Sequence, residues 1–151
     1  MCSSDLLFSG PVDGHGRRSI YLMMSIMSPP KFLTTFDLPE LKLPNGRRNV
    51  TSVPTQALLM LNDPLVEQLA KRWAGEIVQQ PHRNPGERID AMVIAAWGRP
   101  ANERERNQLE AFLRGVSENG DQVESDLMMD KAAWAQLAHT LFNTKEFIHT
   151  R

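Results

Sequence analysis

Two arginines in a glycine-rich segment are the residues whose types and spacing best suit binding chemistry. Arg17 and Arg18 follow Gly14-His15-Gly16, and neighbouring guanidinium groups can hold an anion or a carboxylate through paired hydrogen bonds. The segment lacks the G-x-G-x-x-G spacing that, together with a following helix, cradles a phosphate. We therefore favour a structural salt bridge over a ligand site, with Asp37 in the Thr35-Phe36-Asp37 turn as the carboxylate to test.

The other chemically capable residues are not spaced for catalysis or metal binding. The four histidines, at positions 15, 82, 139 and 149, include no pair at the close helical spacing of a metal motif. No G-x-S-x-G nucleophile elbow occurs, and the single Cys2 can form neither an internal disulfide nor a haem attachment. We expect the methionines and the tryptophans at positions 73, 97 and 134 to fill the core. The sequence thus predicts no metal and no cofactor in this chain.

The composition of the 151 residues is that of an ordinary globular protein, with 41% hydrophobic and 23% charged residues. The formal net charge of -1 gives no reason to expect a nucleic-acid partner. The apolar run from Ile20 to Met27 is far shorter than the roughly 20 residues that span a bilayer. We therefore expect neither nucleic-acid binding nor a membrane span in this chain.

The prolines divide the chain near Val53-Pro54. Seven of the ten prolines lie within the first 64 residues, and prolines prevent long helices there. We predict an irregular, Pro-rich arm over residues 7–53, with a short strand from Arg18 to Met24 and a second extended piece from Phe32 to Phe36. Residues 54–151 should form the helical C-terminal domain, so the fold class is mainly α, a bundle-like domain of four to five helices.

Capping residues and apolar spacing set the limits of these helices. Pro54 should open a short helix ending at Leu61, and Asp63-Pro64 should start the next one, with an apolar stripe at Leu65, Leu69, Trp73 and Ile77. Later starts are predicted at Asn84 with Glu87 and at Asn102 with Glu105, and Gly98 should end a helix. A last helix from Leu127 or Asp130 should reach Phe142, with Phe147 and Ile148 packed behind it. The predicted apolar faces of these three helices are Ile89, Met92, Val93, Ala96 and Trp97, then Leu109, Phe112, Leu113 and Val116, then Trp134, Leu137, Ala138 and Leu141.

The first six residues, MCSSDL, match the translation of a sequencing adapter. We therefore expect residues 1–6 to be an artefact and exclude them from the interpretation of the fold. Residues 7–53 would then be the end of a domain that continues upstream. Finding MCSSDL encoded at the genomic locus would contradict this expectation.

Several short motifs carry a resemblance to a known family. They are G-R-R-S-I-Y-L at 16–22, Phe36-Asp37, R-R-N-V-T-S-V-P-T-Q-A-L-L-M-L-N-D-P at 47–64, Gly98-Arg99-Pro100, and L-F-N-T-K-E-F at 141–147. With these motifs the chain resembles the C-terminal domain of unknown function of large planctomycete-type proteins that carry an N-terminal cytochrome c domain. The resemblance implies a multidomain, exported or periplasmic parent. Any haem would lie in the upstream part of that parent, because C-x-x-C-H is absent here.

The motif residues allow two interpretations. Gln56, Asn62 and Asp63 flank a helix break, where amide and carboxylate groups satisfy loose backbone atoms, so we favour a structural role. Alternatively, Arg17, Arg18, Arg48 and Gln56 converge as a polar pocket that an upstream domain completes.

Three hypotheses about function follow. The leading one is a non-catalytic C-terminal helical module that packs against upstream domains of the same polypeptide and leaves an apolar or arginine-lined surface exposed. The second is half of an enzyme site, for glycan breakdown or haem-coupled redox chemistry, completed by upstream domains. The third is a carbohydrate-binding module, which requires an exposed tryptophan.

Overall fold

The computed structural model describes residues 19–21, 29–39, 46, 54–117 and 124–148. Most of these residues are helical and none of them lies in a strand, so the mainly α fold class is confirmed. The chain divides into two compact units, Met1–Leu65 and Val66–Arg151. The predicted boundary at residue 54 stays a prediction.

Eight α-helices are described, more than the four to five predicted, because three of them are only four to six residues long. They are α1 (Lys31–Thr35), α2 (Pro54–Asn62), α3 (Pro64–Gln79), α4 (Pro85–Trp97), α5 (Glu103–Val116), α6 (Glu124–Met129), α7 (Lys131–Phe142) and α8 (Lys145–Ile148).

In the first unit, the extended piece predicted from Phe32 to Phe36 is wrong, because this segment forms α1. The Thr34 and Thr35 hydroxyls donate to the Lys31 carbonyl, and the Phe32 and Phe36 rings, one turn apart, lie 5.1 Å apart. Of the strand predicted from Arg18 to Met24, the described part, Ser19–Tyr21, is a turn of 3₁₀-helix. The rest of that segment lies outside the described residues.

The predicted starts of α2 at Pro54 and of α3 at Pro64 are confirmed. Between the two helices, the Asp63 carboxylate accepts from the backbone N–H of Leu65 at 2.8 Å. A short side-chain acceptor at this position satisfies one of the free N–H groups at the start of a helix.

The core of the second unit lies where α4, α5 and α7 pack together. All of the predicted face of α7 is fully buried, as are Ile89, Met92 and Val93 of α4 and Leu113 of α5. The remaining predicted residues of α4 and α5 are half-buried and pack against this cluster. These apolar faces are therefore confirmed.

The caps predicted for α4 and α5 are also confirmed. The Asn84 side chain accepts from Glu87 N, and Gly98 has a left-handed φ of 71° where α4 ends. Asn102 and Glu105 form a reciprocal capping box, in which each side chain accepts from the other's backbone N–H. At Asn84 the reciprocal bond differs, because the Glu87 carboxylate accepts from Arg83 N.

The apolar stripe predicted for α3 is confirmed only in part. Ile77 is buried and Trp73 packs against the core, but Leu69 is 42% exposed. The other buried residues of α3 are Val66, Ala70, Ala74 and Val78.

Of the two starts predicted for the last helix, Asp130 is confirmed and Leu127 is not. The Asp130 carboxylate caps α7 by accepting from Ala132 N and Ala133 N, and the predicted end at Phe142 is also confirmed. Phe147 and Ile148 do not tuck in fully and remain exposed, although the Phe147 ring lies 4.9 Å from that of Phe142.

Candidate functional site

Three of the predicted site residues, Arg17, Arg18 and Arg48, lie outside the described residues. Their convergence with Gln56, and the salt bridge proposed with Asp37, therefore stay predictions. Asp37 itself is half-buried just after α1 and has a left-handed backbone, with φ of 58°. This conformation is uncommon for a residue other than glycine, although aspartate and asparagine tolerate it best.

The amide residues of the P-T-Q-A-L-L-M-L-N-D-P motif bind backbone carbonyls. The Gln56 Nε2 donates to the carbonyl of Thr35 at 3.0 Å and so connects α2 to the end of α1. The Asn62 Nδ2 donates to the carbonyl of Leu58 at 2.8 Å, in the last turn of α2. Together with the bond from Leu65 N to Asp63, these contacts are what a structural role for the motif requires.

Two of the three leucines of the same helix face outward, and the third, Leu59, is half-buried. Leu58 is 58% exposed and Leu61 is 53% exposed, whereas Met60 is only 7% exposed. Residues three apart lie side by side on a helix surface. We call the exposed pair Leu58 and Leu61 the α2 leucine face. One helix, α2, therefore carries both the amides of Gln56 and Asn62, which bind backbone carbonyls, and an exposed apolar surface.

In the second unit, Arg99 of the Gly98-Arg99-Pro100 motif connects three segments, namely the end of α4, the start of α5, and α8. Its guanidinium donates to both carboxylate oxygens of Glu105 at 2.8 and 2.9 Å and to Glu146 at 2.8 Å. It also lies over the Trp97 ring, 5.0 Å from the centroid. The Trp97 Nε1 in turn donates to the Thr144 hydroxyl at 2.8 Å. We call this group of side chains the Arg99 clasp.

The charged groups of the clasp pair with one another. Hydrogen bonds from Arg99, and then from the backbone N–H of Asn102, lower the pKa of Glu105 to about 2. The hydrogen bond to Glu105 in turn raises the pKa of Arg99. Because these donors and acceptors are occupied by one another, the clasp is suited to joining segments. From the sequence, Arg99 was noted only as part of the Gly98-Arg99-Pro100 motif. The predicted cap at Glu105 placed a carboxylate six residues away and so could have indicated the ion pair.

Arg88 is a buried cation that sequence reasoning missed. It is 2% exposed and extends from α4 to the carbonyls of Val78, at 3.4 Å, and Met128, at 2.6 Å. Its guanidinium lies 4.9 Å from the centroid of the Trp134 ring, and burial lowers its pKa. One signal was present in the sequence, because Arg88 lies one turn before Met92 on the apolar face of the helix.

The tryptophans do not provide the exposed ring that a carbohydrate-binding module requires. Trp134 is fully buried, and Trp73 and Trp97 are half-buried against the core. The Trp73 ring stacks on Phe142 at 5.4 Å, and Arg99 covers Trp97. The half-site hypothesis depends on arginines outside the described residues and stays a prediction.

No group of three or more His, Cys, Asp or Glu side chains among the described residues could hold a metal ion. No helix in this part of the chain is long and apolar enough to cross a membrane.

Comparison with protein-family models gives a match over most of the chain. The model of a family described as PSD1, protein of unknown function (DUF1553), matches residues 9–113. No curated protein and no solved structure matches the chain significantly.

Proposed function

The chain belongs to the PSD1 family of unknown function, and we propose that it is a non-catalytic C-terminal helical module of a large exported multidomain protein. In this proposal the α2 leucine face packs against upstream domains of the same polypeptide. The parent is extracytoplasmic and of the planctomycete type, and any haem belongs to its upstream part.

The observation that carries the proposal is that α2 has both hydrogen-bonded amide side chains and exposed leucines. The amides of Gln56 and Asn62 bind backbone carbonyls, while Leu58 and Leu61 are more than half exposed on the same helix. Fully burying an exposed leucine contributes about 1.5 to 3 kcal/mol. The polar side chains of α2 are used in hydrogen bonds to the backbone and its leucines are directed outward. This arrangement suits packing against another domain better than it suits catalysis.

The α2 leucine face can be tested with a photo-crosslinking residue in the protein expressed from the complete open reading frame. Benzoyl-phenylalanine is placed at Leu58 in one variant and at Leu61 in another. The control carries it at Gln108, an exposed residue of α5. Crosslinked peptides are then identified by mass spectrometry.

We expect positions 58 and 61 to crosslink to segments encoded upstream of these 151 residues, and position 108 not to do so. Crosslinks confined to the 151 residues would overturn the proposal. An open reading frame without any upstream domain would overturn it as well.

A further inference from the structure

Helix α2 is the one α-helix in the described part of the chain that carries no charged residue. Its sequence, P-T-Q-A-L-L-M-L-N, contains no Asp, Glu, Lys, Arg or His. The four longest helices each have at least one exposed charged side chain, namely Glu67 on α3, Glu87 on α4, Glu103 on α5 and Lys131 on α7. Charged and polar residues are the usual solvent side of a surface helix. Helix α2 departs from that pattern.

Most of this uncharged helix is nevertheless exposed. Gln56 connects α2 to α1 through the Thr35 carbonyl. Leu58 lies two positions further on, and residues two apart do not share one side of a helix. The contact with α1 through Gln56 therefore leaves the α2 leucine face open. The exposed residues of α2 are Pro54, Thr55, Ala57, Leu58, Leu61 and Asn62.

An uncharged apolar face selects an uncharged partner. A charged group packed against α2 would lose its water and would gain no opposite charge from this helix, which is costly. Nucleic acids and anionic membrane surfaces are bound through Lys and Arg side chains, which α2 lacks. Depletion of charged residues is instead characteristic of the centre of protein–protein interfaces.

The exposed face of α2 is small for a contact between separate proteins. A helix of nine residues is about 14 Å long. A stable complex of two proteins buries about 800 Å² and roughly 20 to 30 residues on each side. A tethered domain needs less contact, because the covalent connection supplies a high effective concentration. The size of the face therefore favours a partner in the same molecule over a second copy of the chain.

We infer that the α2 leucine face binds an uncharged, apolar surface of an upstream domain in the same molecule, and that ionic strength does not control this contact. The inference rests on the proposed function and specifies the chemistry of the partner. A charge of either sign on the exposed side of α2 should then weaken the contact.

Substitutions at Ala57 test the charge of the partner. Ala57 is exposed and lies one turn before Leu61. In the protein expressed from the complete open reading frame, benzoyl-phenylalanine at Leu61 is combined with Ala57→Glu, Ala57→Lys or Ala57→Gln. The three introduced residues have similar helix propensities, so Ala57→Gln is the uncharged control. We expect Ala57→Glu and Ala57→Lys each to lower the yield of crosslinks to upstream segments about tenfold, and Ala57→Gln to change it by less than about twofold.

The other outcomes separate this inference from the proposed function. A higher yield in Ala57→Lys would reveal an acidic partner surface, and a higher yield in Ala57→Glu a basic one. Either result, an unchanged yield in both charged variants, or an equal loss in Ala57→Gln would contradict the inference and leave the proposed function standing. Crosslinks confined to the 151 residues would reject both.

Ionic strength and isotope mixing complete the experiment. Raising NaCl from about 0.05 M to about 1 M, which shortens the screening length to about 3 Å, should change the crosslinking yield by less than about twofold. In a mixture of nitrogen-15-labelled and unlabelled protein, each crosslink should join peptides of the same isotope. A steep loss of yield in high salt, or crosslinks between labelled and unlabelled chains at the frequency of random mixing, would rule out an uncharged contact within one molecule.

Discussion

Helices α2 and α7 are both rich in apolar residues, but they use them differently. α7 buries five of its twelve residues, whereas α2 buries one of nine, Met60. On α7 the apolar side chains form part of the core, and on α2 two leucines lie on the surface. The difference teaches that apolar content alone does not indicate which helix stabilises the fold and which one has apolar surface available for a partner.

The sharpest test of this comparison truncates one leucine on each helix. Leu137→Ala should lower the free energy of unfolding by about 3 kcal/mol, because it leaves a cavity in a fully buried site. Leu58→Ala should change it by less than about 0.5 kcal/mol, as is usual for surface positions. Urea denaturation of both variants measures the contrast. Similar losses in the two variants would mean that the α2 leucine face already has a partner within the chain.

A smaller effect is expected from polar side chains at the helix ends. Asp130→Ala should cost about 1 kcal/mol, because two backbone N–H groups at the start of α7 lose their acceptor. Asn62→Ala removes an exposed bond at the end of α2 and should cost less than about 0.5 kcal/mol. The same urea titrations compare them, and a larger loss for Asn62→Ala would reverse the ranking of the two helices.

The Arg99 clasp predicts a dependence on pH that α2 lacks. The pKa of Glu105 is lowered from 4.5 to about 2. Its contribution to stability should therefore be present above about pH 4.5 and should be lost as the pH falls towards 2. Glu105→Gln should flatten the stability profile in this range, and Glu103→Gln, on the same turn of α5, should not. Parallel profiles for wild type and Glu105→Gln in thermal unfolding would contradict this assignment.

The sequence predicted what depends on neighbouring residues. Asn102 with Glu105, and Gly98 at the end of α4, were foreseen because caps are determined by residues a few positions apart. The exposure of Leu69 and the burial of Ala70 were not foreseen, because the two residues are adjacent and only the packing of other helices decides which one is buried. Arg88 was missed for a related reason, since its acceptor on Met128 lies 40 residues away.

The contacts of the candidate site residues could be predicted from the sequence only in part. The structural role favoured for Gln56, Asn62 and Asp63 agrees with their hydrogen bonds to nearby backbone, and such bonds are inferable from a helix break. The particular acceptor of Gln56, the carbonyl of Thr35, could not be inferred. Its position depends on α1, which the sequence suggested would be extended.

The left-handed backbone at Asp37 restricts which residues evolution can place there. Glycine and asparagine fit this conformation at little cost, whereas valine or isoleucine would be strained. Replacement of Asp37 by glycine or asparagine among relatives would thus record selection for the turn. Retention of the carboxylate alone, at a position where glycine is easier to accommodate, would record selection for its charge.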